Sequence, residues 1–167
     1  MTGLRGAGGA CLLACVAVLA LAHPAYGAER RVRTAAEAVA LVRKAGAFLR
    51  QYGQARTLAE LNKPDGQFVD GELYVFAFGA DGSGVQLANP VYPLLVGKNV
   101  LSMQDPDGVW FIRRILEVGR SPAGKGWVDY QWPNAMNGRF VELKTSYIER
   151  VDPLILGCGL PKAWAAK

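Results

Sequence analysis

Histidine and cysteine are scarce in this chain of 167 residues: it has one histidine, His23, and three cysteines, Cys11, Cys15 and Cys158. Three of these four lie before Gly27, in a stretch with one charge, Arg5, an apolar run from Ala10 to Ala22 and a small-residue exit at Ala25-Tyr26-Gly27. This is the layout of a secretory signal peptide, and the apolar run falls short of the about 20 residues that a membrane span needs. Cleavage is expected after Gly27 or one residue later, giving residues 1–27 as signal peptide and 28–167 as mature chain. Two alternatives are a lipoprotein processed at Leu13-Ala14-Cys15, which fits poorly because the apolar run continues past Cys15, and an uncleaved anchor. The mature chain would hold no histidine and the single cysteine Cys158. That excludes a Ser-His-Asp triad, a Cys-His pair, any His-ligated zinc or copper site and an intramolecular disulfide.

Repeats and low-complexity tracts are also lacking, and charge of either sign is modest. The 19 basic and 14 acidic residues give a net charge of +5; without Arg5 the excess is +4. In an exported protein that excess fits anionic solutes or surfaces, and nucleic acid is not expected as a partner. About 140 residues suffice for one domain with a proper core, and no second boundary stands out.

What is present is organised around GWVDYQWPNAMNGRFVELKTSY, Gly126 to Tyr147. Two runs rich in Trp, Tyr, Val and Phe, separated by Pro, Asn and Gly, predict a β-hairpin with a loop of about five residues. Alternation places Val128, Tyr130 and Trp132 on one face and Trp127, Asp129 and Gln131 on the other. Neither face is plainly polar, so the hairpin is expected inside a sheet covered on both sides. Lys144 stands among Leu143, Thr145, Ser146 and Tyr147, a cation carried into apolar and hydroxylic surroundings, where it needs an anion. A neighbouring acid, Glu142 or Glu149, could supply one instead of a ligand.

Along the rest of the chain, Arg30-Arg31-Val32-Arg33 reads as a loose basic lead-in. Thr34 with Glu37 forms a capping-box pattern, and Ala35, Ala38, Val39, Val42, Ala45, Leu49 and Tyr52 follow at helical spacing, one amphipathic helix ending near Gly53. Thr57 is expected to cap a second short helix ending before Lys63-Pro64. Glu72 to Phe78 reads as a strand with Tyr74, Phe76 and Phe78 on one side and Leu73, Val75 and Ala77 on the other. The aliphatic side suits packing under the helix, leaving the aromatic side to border a cavity or fill a core. Asp81-Gly82-Ser83-Gly84 joins this strand to a second at Val85 to Asn89; with no helix following, it is not a phosphate cradle. Asp105-Pro106-Asp107-Gly108 lacks the oxygen series of a calcium loop and reads as a turn and cap leading into a helix from Trp110 to Val118. Asp152-Pro153 turns the chain into a last strand, Leu154 to Leu160. Gly157 and Gly159 there let neighbouring groups or a solute approach the backbone. Cys158 between them reads as a small buried thiol.

GWVDYQWPN, LKTSYIERVD and LILGCGL, preceded in order by GQFVDGELYVFAF, NPVYPLLVGKNV and DPDGVWFIRRI, resemble the single Cache domain, type 2, of the extracytoplasmic PAS-like small-ligand sensors. The likeness covers Val39 to Leu160. It implies an α+β fold with a core at about residues 34–160: a five-stranded antiparallel sheet, a long N-terminal helix on one face, and loops and a short helix on the other enclosing a ligand cavity. In that family Asn89 to Val100 would wrap over the ligand. Asn89 stands where the family frequently has histidine, and Ala135 where it commonly has proline.

The expected function is recognition of a small organic anion, a short carboxylate, outside the cytoplasm, without a cofactor. Lys144 supplies the counter-charge, Tyr74, Tyr130 and Tyr147 the hydroxyls, Phe76, Trp127 and Trp132 the walls, and Asn89 a neutral amide. Strand parity opposes Lys144 to Tyr147 and Trp127 to Tyr130 unless a bulge intervenes. With no later span, the mature chain would pass its state to a membrane-bound signalling or transport partner, or scavenge its ligand. Two rivals are a glycosidase pairing Asp129 with Glu142 and an envelope-interaction module whose aromatic hairpin is simply core.

Overall fold

The alternation read in Leu73–Gly79 sets the architecture, because each side of that strand meets a different layer. The computed structural model describes residues 32–133 and 141–165; the expected signal peptide and the hairpin loop Asn134 to Gly138 lie outside the described residues. The elements run α1 (Ala35–Leu61), β1 (Val69–Asp70), β2 (Leu73–Gly79), β3 (Gln86–Ala88), a single 3-10 turn (Pro93–Leu95), α2 (Phe111–Arg120), β4 (Lys125–Pro133), β5 (Val141–Val151), β6 (Leu154–Pro161) and α3 (Lys162–Ala165). The sheet is antiparallel and six-stranded, in the order β1-β2-β6-β5-β4, with β3 pairing the far end of β2. The sixth strand, unexpected from the sequence, is β1, a two-residue pairing turned by Gly71 at φ 62°.

On one face α1 packs Ala38, Val42, Ala45 and Leu49 against Leu73, Val75, Leu156, Cys158 and Leu160. On the other, α2 packs Phe111, Ile112, Ile115 and Leu116 against Phe76, Phe78, Val128, Tyr130, Ile148 and Ile155. Each fully buried Leu, Ile or Phe contributes about 1.5–3 kcal/mol by leaving water, so both layers are held by the same kind of term.

The capping box forms as read: Thr34 Oγ1 accepts from Glu37 N at 3.2 Å, and Thr34 N donates to Glu37 Oε2 at 2.8 Å. As read, the first helical stretch ends at Gly53, whose backbone is non-helical (φ 77°, ψ 171°), and a second short stretch continues within α1 to Leu61. Thr57 does not cap that second stretch; it is buried within it, its hydroxyl donating to Gly53 O at 2.7 Å. Nor is Arg33 part of a loose lead-in. It is 8% exposed and paired with the carboxylate of Asp70, fastening β1 to the start of α1. Gly119 lies within α2, where a Cβ would come 2.7 Å from Ile155, so its role is close packing on β6. Asp152-Pro153, in the β5–β6 turn, is cis. Among the described residues, no helix is long and apolar enough to cross a membrane.

Candidate functional site

The register of β2, β6, β5 and β4 decides which expected site residues meet. Tyr130 lies opposite Lys144 and Lys144 opposite Pro161; Val128 lies opposite Ser146 and Ser146 opposite Gly159; Ile148 lies opposite Gly157 and Gly157 opposite Phe76. These groups share the α2 face, with Tyr74, Phe78 and Trp132 extending it. The two glycines are spaces for side chains rather than for a solute. A Cβ on Gly157 would lie 2.3 Å from the Phe76 ring, and one on Gly159 would lie 2.6 Å from Ser146 Oγ. Into the second gap fits a buried hydrogen bond, Tyr130 Oη to Ser146 Oγ at 2.7 Å.

Lys144 is 7% exposed, with Nζ 5.8 Å from the centre of the Tyr74 ring and 4.0 Å from Glu142 Oε1. Both the intramolecular acid weighed from the sequence and an aromatic face are thus at hand. Burial, then the neighbouring Tyr130, Tyr92 and Cys158, pushes the Tyr74 phenol well above its ordinary value. Burial also carries Tyr130 up to about 12 despite the Ser146 hydrogen bond. Both phenols stay protonated at neutral pH and can donate.

Two of the expected residues are elsewhere. Trp127 and Tyr147 face α1, their rings 5.4 Å apart, with Trp127 41% exposed. The β4–β5 register runs unbroken from Lys125–Glu149 to Pro133–Val141, so no bulge returns them to the Lys144 face. Tyr147 donates instead to Glu149 Oε2 at 2.7 Å, and Arg43 reaches the same carboxylate at 3.6 Å. Burial, followed by that acceptor, raises the Tyr147 phenol. The same parity separates Asp129 from Glu142: Asp129 faces the α1 side, bound by Lys162, while Glu142 stands with Lys144. The carboxylate pair that a glycosidase would use does not assemble.

Asn89 is 4% exposed and its Oδ1 accepts from Val91 N at 3.2 Å and Tyr92 N at 2.9 Å, so it braces the turn that begins the loop. Asp105 does similar work for the next turn. Its Oδ1 accepts from Asp107 N and Val109 N, and its Oδ2 from Gln131 N on β4. Burial alone would raise its carboxyl, but these three N–H donors, with Arg114, hold it below the usual carboxylate range. This is a turn, as read, but not a helix cap: α2 begins after Trp110 with no side-chain cap. Among the described residues no cluster of acids, histidines or cysteines could hold a metal.

The enclosed ligand cavity expected on this face is nearly filled. Between the sheet and α2, bounded by Tyr74, Phe76, Gln86, Phe111, Tyr130 and Trp132, the free space is about 20 Å³, room for about one water. Phe111 fills it, stacked on Tyr130 at 4.8 Å and edge-on to Trp132 at 5.4 Å. A second, open recess of about 780 Å³ adjoins it, lined by residues of the 91–106 loop together with Phe111, Gln131, Trp132 and Val141. Met103, Phe111 and Trp132 line both spaces; neither lining includes Lys144. Sequence reasoning missed Ser146 and Phe111. Ser146 was within reach, since it alternates with Lys144.

Residues 61–160 match the family model of the Cache domain. Among solved structures, the fold is similar to a methyl-accepting chemotaxis protein of Vibrio parahaemolyticus, at TM-score 0.61 and 19% identity over 75% of this chain and 86% of that one. It is also similar to a Cache chemosensory domain described for carboxylic acid recognition, at TM-score 0.63 and 22% identity over 76% and 92%. The periplasmic sensor domain of a chemotaxis protein aligns at TM-score 0.59 and 22% identity over 76% and 89%.

Proposed function

The chain belongs to the Cache domain family, as a single Cache domain of type 2, and on that premise we propose that it binds a small organic anion, a short carboxylate, outside the cytoplasm. The mature domain, 28–167 after loss of residues 1–27, would then pass its state to a membrane-bound signalling or transport partner. The observation that carries this reading is the position of Lys144: a buried ammonium on the aromatic face of the sheet, directly opposite Tyr130 and over the Tyr74 ring. An ammonium and two protonated phenols form a donor set for a carboxylate, and charge-assisted hydrogen bonds in a water-poor site are about twice as strong as neutral ones. The described carboxylic acid recognition by a similar Cache domain points the same way.

Binding on this face demands movement. The hollow holds a water-sized solute as it stands, so a carboxylate enters only when Phe111 turns aside from Tyr130 and the ligand takes over from Glu142 beside Lys144. Phe76 walls the floor and Asn89 holds the loop. Trp127 and Tyr147, on the other face, take no part.

A thermal-shift screen of residues 28–167 with acetate, lactate, pyruvate and propionate tests the reading. A ligand at about 100 times its dissociation constant adds about 2.7 kcal/mol, a plain rise in melting temperature. Silence across the series removes it and favours an interaction module, for which Trp127 and Leu143, 41% and 48% exposed, offer apolar surface.

A further inference from the structure

We infer that the recess beside the hollow takes the apolar body of an amphipathic acyl or aryl compound, whose carbonyl or carboxylate oxygen accepts a hydrogen bond from Trp132. This deepens the proposed function and rests on it, naming a larger ligand class than a two- or three-carbon acid.

Trp132 Nε1 is buried and has no hydrogen-bond partner among the described residues. Such a donor is costly to leave unmade, and a ligand oxygen would satisfy it. The indole sits where the two spaces meet, together with Phe111 and Met103. A compound bound across that boundary can place its oxygen toward the sheet and its body outward.

The recess suits an apolar body in size and chemistry. Its volume of about 780 Å³ lies within the about 300–1,000 Å³ usual for small-molecule sites. Tyr92 stands edge-on to Trp132 at 5.2 Å, and Leu94 and Leu95 form the rim, Leu94 being 87% exposed. No lysine or arginine is among the described lining residues, and both oxygens of its one acid, Asp105, already accept backbone N–H groups. A second charge on the ligand would find no partner among the described lining residues, whereas methylenes or a ring would leave water.

Calorimetric titration of the mature domain with acetate, hexanoate, phenylacetate and phenylacetamide tests this. Burial of one methylene is worth about fourfold in affinity, so hexanoate and phenylacetate are expected to bind at least about tenfold tighter than acetate. Trp132→Phe, which keeps a ring and removes the donor, is expected to weaken phenylacetate about tenfold, the loss of one hydrogen bond to a charged acceptor. Leu94→Glu, at a solvent-exposed rim position, is expected to erase the preference for the larger acids without disturbing the fold. If acetate binds and length brings no gain, the inference is overturned while the anion reading stands. If phenylacetamide equals phenylacetate, the recess stands and the anion reading falls. If Trp132→Phe matches the wild type, the indole is not the donor. If none of the four binds, both readings fall.

Discussion

Tyr130 and Ser146 meet in a buried 2.7 Å hydrogen bond that exists because position 159, across the next strand, carries no side chain. Ser146→Ala is predicted to leave the Tyr130 hydroxyl without its partner and to cost about 1–3 kcal/mol. Gly159→Ala is predicted to cost about as much by overpacking, since its Cβ would lie 2.6 Å from Ser146 Oγ. Urea unfolding of the two single variants and the double variant checks this. The costs are expected to combine non-additively, because both act on one contact.

Asp105 braces the turn before α2 through Asp107 N and Val109 N and ties it to the edge strand β4 through Gln131 N. Its carboxyl is held low in the folded chain, so the stability it contributes is present above the unfolded value of about 3.9 and is lost as pH falls through the folded value. Asp105→Asn presents an amide donor to one of those N–H groups and is predicted to destabilise by about 1–3 kcal/mol at pH 7. It is also predicted to flatten the loss of stability between about pH 4 and pH 2. Urea midpoints measured across that interval in both proteins provide the comparison; equal acid slopes would remove Asp105 from the explanation.

Cys158 is fully buried between Gly157 and Gly159 on the α1 side of β6, and burial pushes its thiol up to about 12. A thiol that is both inaccessible and protonated is inert. Folded protein spanning residues 28–167 is predicted to resist a thiol-specific chromogenic reagent at pH 8 for hours and to react fully once unfolded in urea. Rapid labelling of the folded domain would contradict the packing around β6.

Much of this fold was legible because a strand has a period of two. Leu73, Val75 and Ala77 went under α1 and Tyr74, Phe76 and Phe78 under α2, as their alternation says. The same period argued against placing Trp127 and Tyr147 beside Lys144, and the unbroken β4–β5 register upholds parity over the aromatic composition that made them attractive. The closed hollow was not legible. It depends on Phe111, distant in sequence from Tyr130, stacking on that ring, and no local pattern encodes such a contact. The pairing of Arg33 with Asp70 escaped for the same reason: a basic lead-in looks solvated until a two-residue strand 37 positions away supplies its acid.

The central claim is that the buried ammonium of Lys144 supplies the charge that holds a carboxylate on the aromatic face of the sheet. Its most direct measurement is calorimetric titration of propionate into three versions of residues 28–167: wild type, Lys144→Met and, as a control on the opposite face, Tyr147→Phe. The prediction is binding to wild type and to Tyr147→Phe with the same affinity within about twofold, and a loss of at least about tenfold in Lys144→Met, the worth of one charge-assisted hydrogen bond. Undiminished propionate binding by a folded Lys144→Met domain, or none by the wild type, would contradict it.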